Sequence, residues 1–336
     1  MKIFSLLAAC FIFCFSSPID AQFNTKINLE SGVSFDLLND SNKTSSIHKI
    51  FGNFKYKNKR ANSETSLSFK FRPQFFDNSF HSIKLGGTGT FLYNSDKILW
   101  KSYLSLLHHN YDLSLISSYY STFTFINGIE FDILKDTPFD FSLGYSYQDI
   151  NFDNSAEWDM VFMDSKINNY YDQYLSWSYG LFVERYDSES KLKNTDKLYK
   201  TIGWRYGPQI QLRYLKSFLF DVGYKFLFYN SDNLANPSYE HQINFLSGIV
   251  INKKFSLFLL IDFFIVRTKL KDELDNLDEY LFIPTKNENQ IYIKTAYKFS
   301  KKSSVYLKFG YFRENLYLDS SKLDGLNLLL GIELKI

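Results

Sequence analysis

Apolar and polar residues change places at every second position along most of this chain. Ile27, Leu29, Val33, Phe35 and Leu37 share one parity, and Lys26, Asn28, Glu30, Ser34 and Asp36 share the other. Thr65, Leu67, Phe69 and Phe71 repeat the pattern against Glu64, Ser66, Ser68, Lys70 and Arg72. So do Ile202, Trp204, Tyr206, Ile210, Leu212 and Tyr214 against Arg205, Gln209, Gln211 and Arg213. The chain ends in the same way, with Leu328, Leu330, Ile332, Leu334 and Ile336 set against Asn327, Glu333 and Lys335. Side chains on a strand point alternately to opposite faces, so the pattern predicts strands with one greasy and one polar face.

The connections alternate too. Short polar turns are expected at Lys57–Arg60, Asn94–Lys97, Lys135–Pro138, Leu215–Ser217, Asn252–Lys254 and Ser300–Ser303. Longer, more varied connections are expected at 186–197, 230–240 and 268–288. Transmembrane barrels combine short turns at one rim with longer loops at the other.

Strands fall near 25–38, 46–57, 63–75, 82–93, 98–107, 121–134, 139–149, 170–185, 198–214, 217–229, 241–252, 255–267, 289–299, 304–316 and 326–336. That makes fifteen, and a closed barrel with both ends on one side needs an even number. The missing strand belongs within 155–164, where Ala156, Trp158, Met160 and Phe162 alternate with Glu157, Asp159 and Asp164, Val161 breaking the polar parity. Residues 108–120 then read as an outer extension of the strand that ends near Leu134. The expected fold is all-β: a closed antiparallel up-and-down transmembrane β-barrel of about sixteen strands, with fourteen as the next choice.

The alternating strands, the leader described below and the apolar terminal strand resemble Gram-negative outer-membrane β-barrel proteins across the whole mature chain. The resemblance is to a porin- or transporter-like architecture and to no named subfamily. The usual terminal Phe is replaced by Ile336, with the apolar parity intact. The resemblance implies outer-membrane lipid and lipopolysaccharide around the barrel, small solutes as cargo and the barrel-insertion machinery as an assembly partner. It implies no cofactor and fixes no oligomeric state. Tyr56, Tyr93, Trp100, Tyr145, Tyr147 and Tyr214 are placed for interfacial girdles.

Composition narrows the alternatives. The chain has 336 residues, 45% of them hydrophobic, and its net charge is 38 − 36 = +2. That balance argues against a nucleic-acid partner, and the apolar content argues against disorder. No uncharged apolar run reaches the roughly 18 residues of a membrane helix. The aromatic share of 19% has a second source in AT-rich codons, which does not explain why the rings fall on one parity. Residues 1–21 read as a secretory signal: Lys2, then the apolar run Ile3–Phe15, then Ser16, Ser17 and Pro18, with cleavage after Ala21. The barrel then occupies 22–336. A rival reading is a lipoprotein processing box at Leu7-Ala8-Ala9-Cys10. Cys10 and Cys14 both lie in the leader, which removes disulfides, thiolate zinc sites and cysteine nucleophiles from the mature chain.

Catalytic chemistry finds little support. His48, His81, His108, His109 and His241 have no carboxylate or nucleophile at a recognised spacing. Adjacent residues on a strand face opposite ways, so His108 and His109 are badly placed to share an ion. The lumen is more informative. Glu30, Lys70, Arg72, Glu130, Asp132, Arg205, Gln209, Gln211, Arg213, Asp221, Lys225, Lys294, Lys308 and Glu333 are expected to point inward. Of these, Lys70, Arg72, Arg205, Gln209, Gln211, Arg213, Lys225, Lys294 and Lys308 are the pore-lining candidates. Arg205 and Arg213 with the glutamines between them make a ladder suited to anionic or hydroxyl-rich solutes, unless the inward charges simply pair with one another.

Strand 255–267 is apolar on both faces, with Phe258, Leu260, Phe264 and Val266 joined only by Asp262 on the second. Leu270, Leu274, Leu277 and Leu281 follow at helical spacing, with Thr268 as cap and Pro284 beyond. This predicts a loop helix that rests on the inner apolar patch and narrows the mouth. The acidic residues around it lack the spacing of a calcium loop. Three functions follow in order: a porin-like channel or uptake transporter for small solutes, with selectivity set by lumen charge and loop constriction; a non-conducting barrel for surface assembly, secretion or adhesion; and an outer-membrane hydrolase.

Overall fold

The computed structural model describes residues 21–36, 43–76, 80–95, 97–113, 116–134, 137–151, 155–191, 198–216, 218–232, 234–270, 288–315 and 322–336. They form sixteen strands: β1 (Ala21–Asp36), β2 (Lys43–Lys59), β3 (Ser63–Phe76), β4 (Phe80–Asn94), β5 (Ile98–Leu113), β6 (Ile116–Leu134), β7 (Thr137–Asn151) and β8 (Ser155–Tyr170). The second half adds β9 (Leu175–Lys191), β10 (Leu198–Leu215), β11 (Phe218–Ser231), β12 (Leu234–Val250), β13 (Phe255–Leu270), β14 (Glu288–Lys298), β15 (Ser303–Asn315) and β16 (Lys322–Lys335). Each strand pairs antiparallel with its neighbours in sequence, and β1 pairs with β16 to close the barrel. The closing seam runs from Lys26 opposite Lys335 to Asp36 opposite Gly325, with Ile336 N donating to Thr25 O at 2.9 Å. Closure leaves no edge strand: each strand is hydrogen-bonded to a neighbour on both sides, as an apolar bilayer requires.

Sixteen strands is the expected number. The near end of the barrel, where Ala21 and Ile336 lie, has connections of two to four residues; those at the far end run from two to seventeen. Several boundaries move. Residues 108–113 continue β5 and are not an extension of β6. Strand β8 runs to Tyr170 and β9 starts at Leu175, later than expected. The long connection expected at 230–240 shrinks to two residues, because β12 begins at Leu234 and absorbs the irregularity as a register shift between Ala235 and Tyr239.

The outward face is apolar. Leu326, Leu328, Leu330, Ile332 and Leu334 on β16 are exposed, as are Trp204, Tyr206, Ile210 and Leu212 on β10. A hydrocarbon solvent accounts for that exposure. Toward the far end the polarity reverses on β7–β9. Ala156, Trp158, Met160 and Tyr186 are buried on the inner face, while Glu157, Asp159, Arg185 and Glu189 are exposed on the outer one. Thus the apolar set of β8 faces inward, and Asp164 shares that inner face. Where the wall leaves the apolar band its outer face meets water, so the apolar side chains turn inside. Tyr145 marks the change, its hydroxyl donating to Asp159.

Candidate functional site: the barrel interior

Alternation and register put every expected inward residue on the inner face: Lys70 and Arg72 on β3, Glu130 and Asp132 on β6, Arg205, Gln209, Gln211 and Arg213 on β10, and Asp221 and Lys225 on β11. Lys294, Lys308 and Glu333 complete the set with Glu30 on β1. The charges are sorted around the circumference. The wall from β14 through the seam to β4 carries Lys26, Lys49, Lys55, Lys57, Lys59, Lys70, Arg72, Lys84, Lys294, Lys298, Lys308 and Lys335 against Glu30, Glu64 and Glu333. The wall from β5 to β13 carries Lys101, Lys166, Arg205, Arg213 and Lys225 against Glu130, Asp132, Asp140, Asp164, Glu184, Asp221, Glu240 and Asp262. Of the residues just named, the first wall sums to 12 − 3 = +9 and the second to 5 − 8 = −3.

The glutamine–arginine ladder is mostly engaged within the wall. Arg205 is 7% exposed and lies between Glu184 Oε1 at 2.8 Å and Glu240 Oε2 at 3.0 Å. Tyr229 donates its hydroxyl to Glu240, and Gln242 also reaches that glutamate. Gln209 donates to Asp164, Gln211 donates to Asp221 at 2.8 Å, and Arg213 pairs with Asp221 at 2.8 Å. A guanidinium between two carboxylates is compensated and no longer offers a free charge to an anion. Above this level the inner face is close-packed: Tyr111, Ile150, Tyr186, Leu227 and Leu329 are buried. Trp158, Tyr186 and Tyr229 form a chain of rings, with successive centroids 5.5 and 6.3 Å apart.

Cavities open on the inner face among the described residues. One, of about 480 Å³, is lined by residues of β8–β14 including Lys166, Gln209, Gln211, Gly223, Lys225, Gln242, Asn244, Leu260 and Gln290. Another, of about 340 Å³, lies at the near end among Lys294, Lys298, Lys301, Lys302, Lys335 and Glu333. On the opposite side of the near end, Lys101 joins Glu130 and Asp140, the latter at 2.8 Å.

The apolar residues Phe258, Leu260, Phe264 and Val266 do face inward on β13. Phe264 is buried, and Asn289 bonds its backbone from β14. The loop helix meets a correction at its start: Leu270 is the last residue of β13, because strand pairing with Leu234 carries the ladder through Thr268. Leu274, Leu277 and Leu281 lie outside the described residues. The histidines are dispersed: His48 bonds Ser31, His108 bonds Ser121, His241 bonds Tyr224, and His109 packs between Tyr111 and Tyr120 on the inner face.

Sequence reasoning missed Glu184, Glu240 and Tyr229, which hold Arg205, and Lys166, which lines the larger cavity. Their period-two parity was the available signal. For Glu240 it was hidden by the early start of β12 at Leu234, and for Lys166 by the break at Val161 and the run of β8 on to Tyr170.

No family model and no curated protein matches the sequence. Several solved structures are similar to the chain. A mutant of the TodX monoaromatic hydrocarbon channel is similar at 9% identity over 95% of this chain and 90% of that one, with a TM-score of 0.43. A variant of OccD1 (OprD) is similar at 8% identity over 94% and 95%, with a TM-score of 0.43. CdiB from Acinetobacter baumannii is similar at 8% identity over 94% of this chain and 60% of its own length, with a TM-score of 0.48.

Proposed function

We propose that this protein is an outer-membrane channel for small polar solutes, exported by residues 1–21 and mature from Gln22. The near end faces the periplasm, and lipopolysaccharide surrounds the far end. The strand β16, apolar from Leu326 to Ile336 on its outer parity, is the segment the barrel-insertion machinery would read. One observation carries the channel reading. The interior is lined by charges and amides sorted into a basic and an acidic wall, while the exterior is apolar. A barrel that only anchored a loop would need no such lining. Passage is passive. Lysines on the basic wall favour anions, and the wall side chains around Arg205 narrow the far half.

The test is conductance of the purified barrel in planar bilayers under a KCl gradient. Current with a reversal potential displaced toward chloride supports the reading. A second reading, a non-conducting barrel for assembly or adhesion, is favoured by the buried inner residues Tyr111, Ile150, Tyr186 and Leu227 of the far half. Absence of current above background would move the assignment to it.

A further inference from the structure

The 480 Å³ cavity has a glycine for its floor. Gly223 faces inward on β11, directly opposite Gln211 on one side and Asn244 on the other. A Cβ built on Gly223 would meet nothing within 4 Å. Packing therefore does not demand glycine here, unlike at Gly207, where a Cβ would come within 1.9 Å of the Phe226 carbonyl oxygen. A strand glycine with open space above it leaves room where a ligand can approach the backbone.

The lining defines the chemistry of that ligand. Gln209, Gln211, Gln242, Asn244 and Gln290 bring five side-chain amides to one recess; Gln209, Gln211 and Gln242 each give one hydrogen to a wall carboxylate and keep a second hydrogen and the carbonyl oxygen. An amide offers both donors and an acceptor, which suits a hydroxyl group, itself both donor and acceptor; ammonium groups only donate and carboxylates only accept. The four charged residues of the lining, Lys166, Lys225, Asp221 and Asp262, sum to 2 − 2 = 0. Lys166 is engaged in the wall with Asp164 at 3.2 Å, and Asp221 with Arg213 at 2.8 Å. The Lys225 ammonium sits 3.9 Å from the centre of the Phe182 ring. The recess therefore holds no net charge to draw an ion. Leu246 and Leu260, opposite each other in register, add an apolar strip at one side. The volume lies within the roughly 300–1,000 Å³ of small-molecule sites.

We propose that this recess binds an uncharged, hydroxyl-rich solute of monosaccharide size, its hydroxyls on the amides and its C–H face on Leu246 and Leu260. The proposal deepens the channel reading and rests on it only for how the solute reaches the site. It is tested on the full-length barrel in detergent by equilibrium dialysis of radiolabelled glucose, with aspartate and arginine as charged controls. Fold is followed by the gel-mobility shift of the unheated barrel. Saturable glucose binding is expected, stronger than that of either control. Gly223→Phe should fill the recess and weaken glucose binding at least tenfold while keeping the folded mobility, and a Gln211→Ala/Asn244→Ala variant should weaken it without filling anything. Tighter binding of aspartate or arginine, no glucose binding, or equal binding by Gly223→Phe would overturn the proposal. A barrel that binds glucose but passes no current keeps the site and loses the channel; one that conducts but binds no glucose does the reverse.

Discussion

Lys294 and Lys308 stand directly opposite each other on β14 and β15, and each ammonium rests on a tyrosine of the other's strand. Lys294 Nζ is 3.8 Å from the centre of the Tyr306 ring, and Lys308 Nζ is 3.9 Å from that of Tyr292. Like charges directly across a strand pair are destabilising. The ring faces offset part of that repulsion and hold both cations on the basic wall.

Charge removal here should therefore change selectivity. A unit charge at about 4 Å is worth about 1 kcal/mol in water, or about fivefold in relative permeability. Lys294→Gln alone is expected to lower the chloride preference by roughly that factor, read as a shift of the reversal potential, and Lys294→Gln/Lys308→Gln by more. The shift should shrink in about 1 M salt, where the screening length falls to about 3 Å.

Arg205 predicts stability instead. Arg205→Met leaves Glu184 and Glu240, 5% and 0% exposed, without their shared cation. Breaking a buried pair costs about 3–5 kcal/mol, and urea unfolding followed by gel mobility should show a loss of that size. The triple change Arg205→Met/Glu184→Gln/Glu240→Gln removes the unpaired charges and should recover most of it.

Two glycines should respond in opposite ways to alanine. At Gly32 on the closing seam, a Cβ would lie 1.9 Å from the Leu328 carbonyl oxygen. Gly32→Ala should force β1 from β16 and lower the yield of barrel with folded mobility. Gly223→Ala meets open space and should be neutral or raise stability by about 0.5–1 kcal/mol, the ordinary gain from replacing a strand glycine.

The two faces should also differ in tolerance of charge. Leu330 is 58% exposed in the middle of the outer apolar row of β16. Leu330→Arg should cost about 2–4 kcal/mol if that row faces the bilayer midplane. Gln211→Arg, on the inner face, should fold into lipid vesicles about as well as the parent. Equal folding yields for the two variants would contradict the assignment of faces.

Much of the fold can be read from parity alone. Rows such as Leu328 to Ile336 and Trp204 to Leu212 give strand, register and lipid face together, because a wall between water and hydrocarbon enforces strict alternation. The same rule explains the misplacements. Around Trp158 and Tyr186 the outer face meets water, so apolar residues turn inward and parity no longer marks lipid. The extent of β12 was obscured by Pro237 and the register shift between Ala235 and Tyr239, which interrupt the pattern without ending the strand. Inward charges could be placed one at a time, but not their partners. Which carboxylates reach Arg205 depends on the stagger of β9, β10 and β12, and alternation within one strand does not encode stagger. Gly223 carried no signal in sequence, since its significance is the empty space above it.

The channel itself is tested most directly by single-channel recording of the purified full-length barrel in a planar bilayer under a KCl gradient. The sorted walls predict discrete conductance steps with a reversal potential on the chloride side. No steps above background, or steps with a reversal potential on the potassium side, would contradict the assignment.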